Sequence, residues 1–186
     1  MEKILLQENS MLENCSVCGN KLTRYGNKVL KDGVLCRNCA KLCSGWLEKT
    51  DFADRTVEQI KEHLDYRQKN RERLNEFKGN KVTEGKYSLF IDDETKDFLI
   101  TKRSDFNRDN ADLFNIADIS KVNIVEKKYL RRDGSDIYVQ LFVKHPQLTS
   151  LKFQVNEFGC LNKDSDEYKQ ALEHAYEYVN ALKDRK

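Results

Sequence analysis

Two cysteine pairs decide what the first quarter of this chain can fold into. Cys15 and Cys18 form one C-x2-C pair, Cys36 and Cys39 form a second, and the full spacing is C-x2-C-x17-C-x2-C. Two residues between paired cysteines let a tight turn aim both sulfurs at one ion. Two such pairs complete a tetrahedron of soft thiolates, the shell of a closed structural zinc site. Gly19 follows the first pair, where a backbone that turns back needs positive φ. Between the pairs, residues 28–35 read as a short hairpin with Asp32-Gly33 as its turn. The second pair runs into Ala40-Lys41-Leu42-Cys43, a helical segment with Cys36, Cys39 and Cys43 at i, i+3 and i+7. Knuckle, hairpin, then knuckle at a helix start describes a treble-clef or zinc-ribbon module over 14–50. Cys15, Cys18, Cys36 and Cys39 are its expected ligands, holding one structural zinc ion.

Two other readings of the four cysteines stay open. A pair of disulfides would need an oxidising compartment, and Met1 to Asn9 lacks the long apolar core and small-residue cleavage site of a secretory leader. A cytoplasmic location is therefore expected, where thiols stay reduced. Iron also accepts tetrahedral sulfur. Cys43, one helical turn from Cys39, is either a substitute ligand or a small core hydrophobe, and Cys160 after Gly159 reads as structural. A catalytic zinc keeps a position open for water, which four thiolates deny it. His63, His145 and His174 are scattered without H-E-x-x-H spacing, so the expected role of the ion is folding.

The chain has 186 residues, room for one full domain plus a small one. It has no apolar run of the ~18 residues that mark a membrane-spanning helix. Its net charge of +2 is spread unevenly. Residues 15–43 carry six basic groups against Asp32, which gives +5. Four thiolates and a zinc ion add −2 and lower the module to +3. Residues 79–186 carry eighteen basic and nineteen acidic groups, which gives −1. On the module, Lys21, Arg24, Tyr25, Lys28, Lys31 and Arg37 combine charge with an aromatic, as surfaces that track a nucleic-acid backbone do. The same residues would also serve as an ordinary solvated face.

After a tail over 1–13 and the module comes Thr56-Val57-Glu58-Gln59, a capping box. A connecting helix is expected over 55–78, with Val57, Ile60, Leu64, Leu74 and Phe77 on one face. Its middle is polar all round. The basic cluster Arg67, Lys69, Arg71 and Arg73 interleaves with Asp65, Glu72 and Glu76, as a solvated face does. From Lys86 the period changes to two. Strands are expected over 87–91, 97–102, 122–126, 137–144 and 151–155, with turns at 92–95 and 131–135. A last helix starts near Ser165, with the stripe Tyr168, Leu172, Ala175, Val179 and Leu182 widened by Tyr176 and Tyr178. No helices alternate with the strands, so the domain over 80–186 is an antiparallel α+β fold closed by its C-terminal helix.

The module's Cys-x-x-Cys-Gly, Lys-Asp-Gly hairpin and Cys-x-x-Cys-Ala-Lys resemble a bacterial zinc-ribbon family catalogued as domain of unknown function 4428. The phrase Thr56-Val57-Glu58-Gln59-Ile60 is similar to one that follows the ribbon in its members. Residues 113–122, Leu-Phe-Asn-Ile-Ala-Asp-Ile-Ser-Lys-Val, resemble the segment before a central strand in bacterial pleckstrin-homology-like (PH-like) domains. That second resemblance implies a PH-like β-domain of about seven strands, of which five are legible. Neither resemblance brings an activity with it.

A non-enzymatic adaptor is the expected function, acting through contacts with an unknown protein partner. The alternative is nucleic-acid binding through the basic ribbon and helix. An anionic membrane surface is a third candidate partner. Lys127, Lys128, Arg131 and Arg132 cluster around an expected hairpin tip, where basic loops meet anionic headgroups. An enzyme would have to use Asp92, Asp93 and Glu94 as a metal cluster or His145 as a base. The first is an ordinary acidic turn, and the second has no nucleophile in view.

Overall fold

A computed structural model describes residues 13–47, 49–102, 111–129 and 134–186. The chain divides into two units, one ending at Asn70 and one spanning Arg71–Lys186.

In the first unit, β1 (Lys28–Val29) and β2 (Val34–Leu35) form the expected hairpin, with Lys28 opposite Leu35 and Val29 opposite Val34. The Leu30 N–H closes the turn on the Gly33 carbonyl at 2.9 Å. Gly33 permits a close approach, because a Cβ there would lie 2.5 Å from Ser16 Oγ and 2.7 Å from Val57 Cγ2. Helix α1 (Arg37–Leu42) follows, then α2 (Lys49–Ala53) and α3 (Val57–Glu76). The capping box forms as expected. Thr56 Oγ1 accepts from the Gln59 N–H at 3.3 Å, and Gln59 Oε1 accepts from the Thr56 N–H at 2.9 Å. Asp32, in the hairpin turn, takes the Val57 N–H at 2.7 Å, so the turn also caps α3. Thr56→Ala should therefore cost about 1 kcal/mol of stability, measured by urea unfolding.

The buried face of α3 corrects the expectation of a solvated polar middle. The residues that go inside are Ile60, His63, Arg67 and Asn70, at i, i+3, i+7 and i+10. Only 1% of Arg67 is exposed. Its Nε donates to the Leu42 carbonyl at 3.3 Å, and His63 Nε2 accepts from the Ser44 N–H at 3.0 Å. Both partners lie where α1 ends, and a helix end leaves carbonyls that the helix itself cannot satisfy. A cation there also suits the negative end of the helix dipole. Arg67→Ala should lower stability by roughly 2 kcal/mol, because it takes the side-chain partner from a part-buried carbonyl and opens a cavity where a fully buried side chain stood. The check is thermal unfolding followed at Trp46, the chain's one tryptophan.

The second unit holds two antiparallel sheets. The first runs β3 (Asn80–Thr83), β4 (Tyr87–Ile91), β5 (Asp97–Lys102) and β6 (Phe114–Asn115) in that order. A 3-10 turn over Ile116–Asp118 then leads into the second sheet. Its order is β7 (Ile119–Lys128), β8 (Ser135–Val143), β9 (Ser150–Gln154). Helix α4 (Asp166–Lys183) starts at Ser165, whose Oγ accepts from the Tyr168 N–H at 3.2 Å. The five expected strands are present, and β3 and β6 add two.

Alternation positions this unit's core. Ile137, Val139, Leu141 and Val143 of β8 all turn inward, at period two. Ala175, Tyr178, Val179 and Leu182 of α4 are buried, and the Tyr178 ring meets Phe153 edge-on at 5.2 Å between centroids. Tyr176 departs from the expected stripe: it is 52% exposed, because it lies off the face that Ala175 and Val179 define.

Candidate metal centre

The first knuckle is a backbone loop closed on itself. Cys15 N–H donates to the Asn20 carbonyl at 2.8 Å, and Gly19 N–H donates to the Cys15 carbonyl at 2.9 Å. Gly19 has φ +72°, the left-handed conformation that glycine adopts without steric cost. Ser16 joins this knuckle to β2. Its N–H reaches the Val34 carbonyl at 2.8 Å, and its Oγ accepts from the Val34 N–H at 3.0 Å. The second knuckle sits at the start of α1, where Cys36 is the N-cap and its sulfur accepts from the Cys39 N–H at 3.4 Å. The Cys36 N–H in turn points at Cys15 Sγ, 3.2 Å away.

These connections bring the four sulfurs of Cys15, Cys18, Cys36 and Cys39 within 4.8 Å of one another. Cys18 Sγ and Cys36 Sγ are 3.7 Å apart. A disulfide would need about 2.05 Å. A tetrahedron of zinc–sulfur bonds of about 2.3 Å has an edge of about 3.8 Å. The cluster can hold a metal ion, and its donor set and spacing are consistent with a structural zinc. Cys15, Cys36 and Cys39 are buried, and Cys18 is exposed.

The surroundings favour thiolate at one end of the cluster and thiol at the other. Burial raises Cys15, but the backbone N–H groups of Cys18, Cys36 and Val17 outweigh it and hold the thiol down to about 7. Burial, together with the neighbouring Cys18 and Cys36 sulfurs, pushes Cys39 well up. A bound cation reverses that penalty, because each thiolate then faces positive charge.

Cys43 does not join the set. Its Sγ donates to the Cys39 carbonyl at 3.5 Å, and burial pushes its thiol up to about 11. It is a neutral core residue beside Leu35, Phe52 and Ile60.

The other candidate residues fall in separate places. Lys21, Arg24, Tyr25, Lys31 and Arg37 are exposed on the module. The Arg24 guanidinium lies 5.2 Å from the Tyr25 ring centroid, and Arg37 packs against Gly26. Lys28 is half-buried, with Nζ 5.6 Å from the Phe52 ring centroid. Lys127 and Lys128 are exposed at the end of β7, whereas Arg131 and Arg132 lie outside the described residues.

Asp92 closes its own turn. It accepts from the Glu94 and Thr95 N–H groups at 2.9 and 3.2 Å and from the Lys78 N–H at 3.4 Å. The Thr95 contact leads in holding its carboxyl below the usual range. Asp93 pairs with Arg185 at 2.7 Å. His145 Nδ1 accepts from the Gln147 and Leu148 N–H groups at 3.2 and 3.1 Å, and burial lowers its pKa, which suits an acceptor. Asp92 and His145 thus work as turn-closing groups, and Asp93 as an ion-pair partner.

One ionisable cluster has no local signal in the sequence. Asp136, 3% exposed, gathers Tyr129, Tyr138, Asn156 and the Cys160 N–H around its carboxylate. These partners lie up to 24 residues away, so no short motif announces it.

No helix among the described residues is long and apolar enough to cross a membrane. No curated protein and no solved structure shows significant similarity to the chain. Residues 13–63, which contain all four clustered cysteines, match the model of a family described as Domain of unknown function (DUF4428).

Proposed function

We propose that this chain is a non-enzymatic adaptor, in which one zinc ion folds a small ribbon and a PH-like domain offers surfaces to a protein partner in the cytoplasm. The observation that carries this reading is the donor set itself. Four converging sulfurs satisfy a tetrahedral ion completely, and such a site holds a fold together without an open position for substrate. Asp92 and His145, the residues most open to a catalytic reading, instead accept backbone N–H groups in turns. Four strands, then three, then a closing helix is the layout expected of a PH-like domain, which supports the resemblance carried by residues 113–122.

A second reading has one specific observation in its favour. Tyr25 is 70% exposed beside the Arg24 guanidinium, with Lys21, Lys31 and Arg37 exposed on the same module. Charge beside an exposed ring suits stacking on a nucleic-acid strand. Exposed Lys127 and Lys128 keep an anionic membrane surface as a third candidate partner.

Elemental analysis and a salt series separate these readings. The adaptor reading expects about one zinc per chain. It also expects oligonucleotide affinity no tighter than about 100 µM at physiological salt, the weak end of non-specific binding. Tight binding to duplex or single strands that collapses as salt rises would overturn it in favour of the second reading. Turnover of any substrate by the zinc-loaded chain would overturn both.

A further inference from the structure

The second unit carries an unassigned groove of about 350 Å³ between the start of β7 and the end of α4. Ile119, Val122 and Leu182 give it an apolar floor, and Lys121, Lys183 and Lys186 give it a basic rim. Among the described residues, no acidic side chain lines it. Arg185, close by in sequence, is neutralised by Asp93 at 2.7 Å and turns its charge elsewhere.

Beside this groove runs a sheet edge. The strand order β7-β8-β9 leaves one side of β7 without a neighbouring strand among the described residues. The register shows which groups that side presents. Tyr129 N–H bonds the Gly134 carbonyl, so the pairs that exchange hydrogen bonds with β8 are Lys127/Asp136, Val125/Tyr138, Asn123/Gln140 and Lys121/Phe142. The backbone of the alternate residues Val122, Ile124 and Glu126 therefore faces away from β8. At the start of the strand, the Ile119 carbonyl is taken by the Lys186 ammonium at 2.8 Å rather than by another strand. The edge thus opens at the groove.

We propose that the groove between β7 and α4 is a docking site for an extended acidic peptide segment of a partner protein, which adds to the edge of β7 as a further strand. The proposal rests on the adaptor reading and names the partner class for it. An unpaired strand edge supplies backbone donors and acceptors, and a pocket beside it selects alternate side chains. Apolar side chains of the segment settle on Ile119, Val122 and Leu182, and its carboxylates meet the three ammonium groups. The same lysines argue against a second copy of this chain as the occupant. Two β7 edges brought together antiparallel would set Lys121 of one copy near Lys127 and Lys128 of the other, and like charges across paired strands are destabilising.

The test pans a displayed library of random dodecapeptides against the zinc-loaded full chain and, in parallel, against two variants. K121E/K183E/K186E reverses the rim. Val122→Pro removes an N–H that β8 does not use and blocks strand addition, at an edge position of the kind where proline is tolerated. Far-UV circular dichroism first establishes that both variants keep the native strand content. Expected are enriched peptides that alternate acidic and apolar residues, with affinity lower by at least about tenfold on each variant. No enrichment on the wild-type chain overturns the proposal. Enrichment that both variants retain overturns the groove while leaving the adaptor reading standing. Phosphatidylserine vesicles form a third arm. Vesicle binding lost in K121E/K183E/K186E, without peptide enrichment, would assign the lysines to a lipid surface instead.

Discussion

Treatment with a metal chelator should unfold the cysteine module and leave residues 71–186 folded. The module's buried cluster is Cys15, Leu30, Leu35, Cys36, Cys39, Cys43, Phe52 and Ile60, and three of those side chains belong to the four-sulfur set that can hold a metal ion. A core this small supplies only ~3–5 kcal/mol. Ligation at a structural thiolate site contributes on the order of 10 kcal/mol or more. Without the ion, four sulfurs within 4.8 Å either repel as thiolates or take up protons and lose their partner. Ion binding should therefore decide whether this unit folds. The second unit has its own core around Ile91, Phe98, Val139, Phe153 and Tyr178, so its circular dichroism should persist. Trp46 lies in the first unit, and its fluorescence should shift to the red as the module opens. Cys36→Ser makes the sharper variant. Serine is a good N-cap and keeps the contact to the Cys39 N–H, so the loss isolates the metal from the cap. C36S should lose bound zinc and the native Trp46 signal. Cys43→Ser should keep about one zinc per chain and lose only about 1–2 kcal/mol. Retention of metal and native fluorescence in C36S would overturn the assignment of this sulfur as a ligand.

The elements that were legible in the sequence have local causes. Cysteine spacing, the Asp32-Gly33 turn, the Thr56/Gln59 box and the period-two strands depend on residues within a few positions of one another. Elements with distant causes were not legible. Strand β3 offers one valine in Asn-Lys-Val-Thr, has a register shift between Lys81 and Thr83, and exists because β4 pairs with it. Strand β6 is two residues long and borrows its partner from β5. Arg67 reads as a solvent-facing cation until the Leu42 carbonyl, 25 positions earlier in the chain, is placed beside it. The groove lysines carry no motif, since Lys121 and Lys186 meet only when α4 folds back over β7. Binary patterning reports that a face is buried but not which polar group has found a partner there.

Asp136→Asn should cost the second unit roughly 3 kcal/mol, among the largest losses from one isosteric change outside the metal centre. Asp136 Oδ1 accepts from the Cys160 N–H at 2.8 Å and from Asn156 Nδ2 at 3.2 Å. Its Oδ2 accepts from the Tyr129 hydroxyl and, at 3.5 Å, from the Tyr138 hydroxyl. An ionised carboxylate only accepts, and every group around it donates. An asparagine amide would set its own N–H2 against one side of that ring of donors and leave buried groups unpaired. Asn156 Oδ1 also accepts from the Ile137 N–H at 2.8 Å, so the disturbance passes to the start of β8. The pH dependence follows from the same contacts. Burial raises the Asp136 carboxyl, but the Tyr129 hydroxyl, the Cys160 N–H and the Asn156 amide outweigh it and hold it below the usual range. A folded value below the unfolded ~3.9 means the contribution is complete above about pH 4 and is lost as pH falls through the folded value. Urea unfolding followed by far-UV circular dichroism should therefore show wild type well ahead of D136N at pH 7, with the gap narrowing below about pH 4. Tyr129 provides an independent signal, since donating its hydroxyl hydrogen bond to the Asp136 carboxylate pushes the phenol up to about 12. In D136N its ultraviolet titration should move back toward the ordinary value of about 10. A gap that stays constant from pH 7 to pH 3 would mean that the carboxylate's charge has no part in holding the three strands to the Asn156–Cys160 turn.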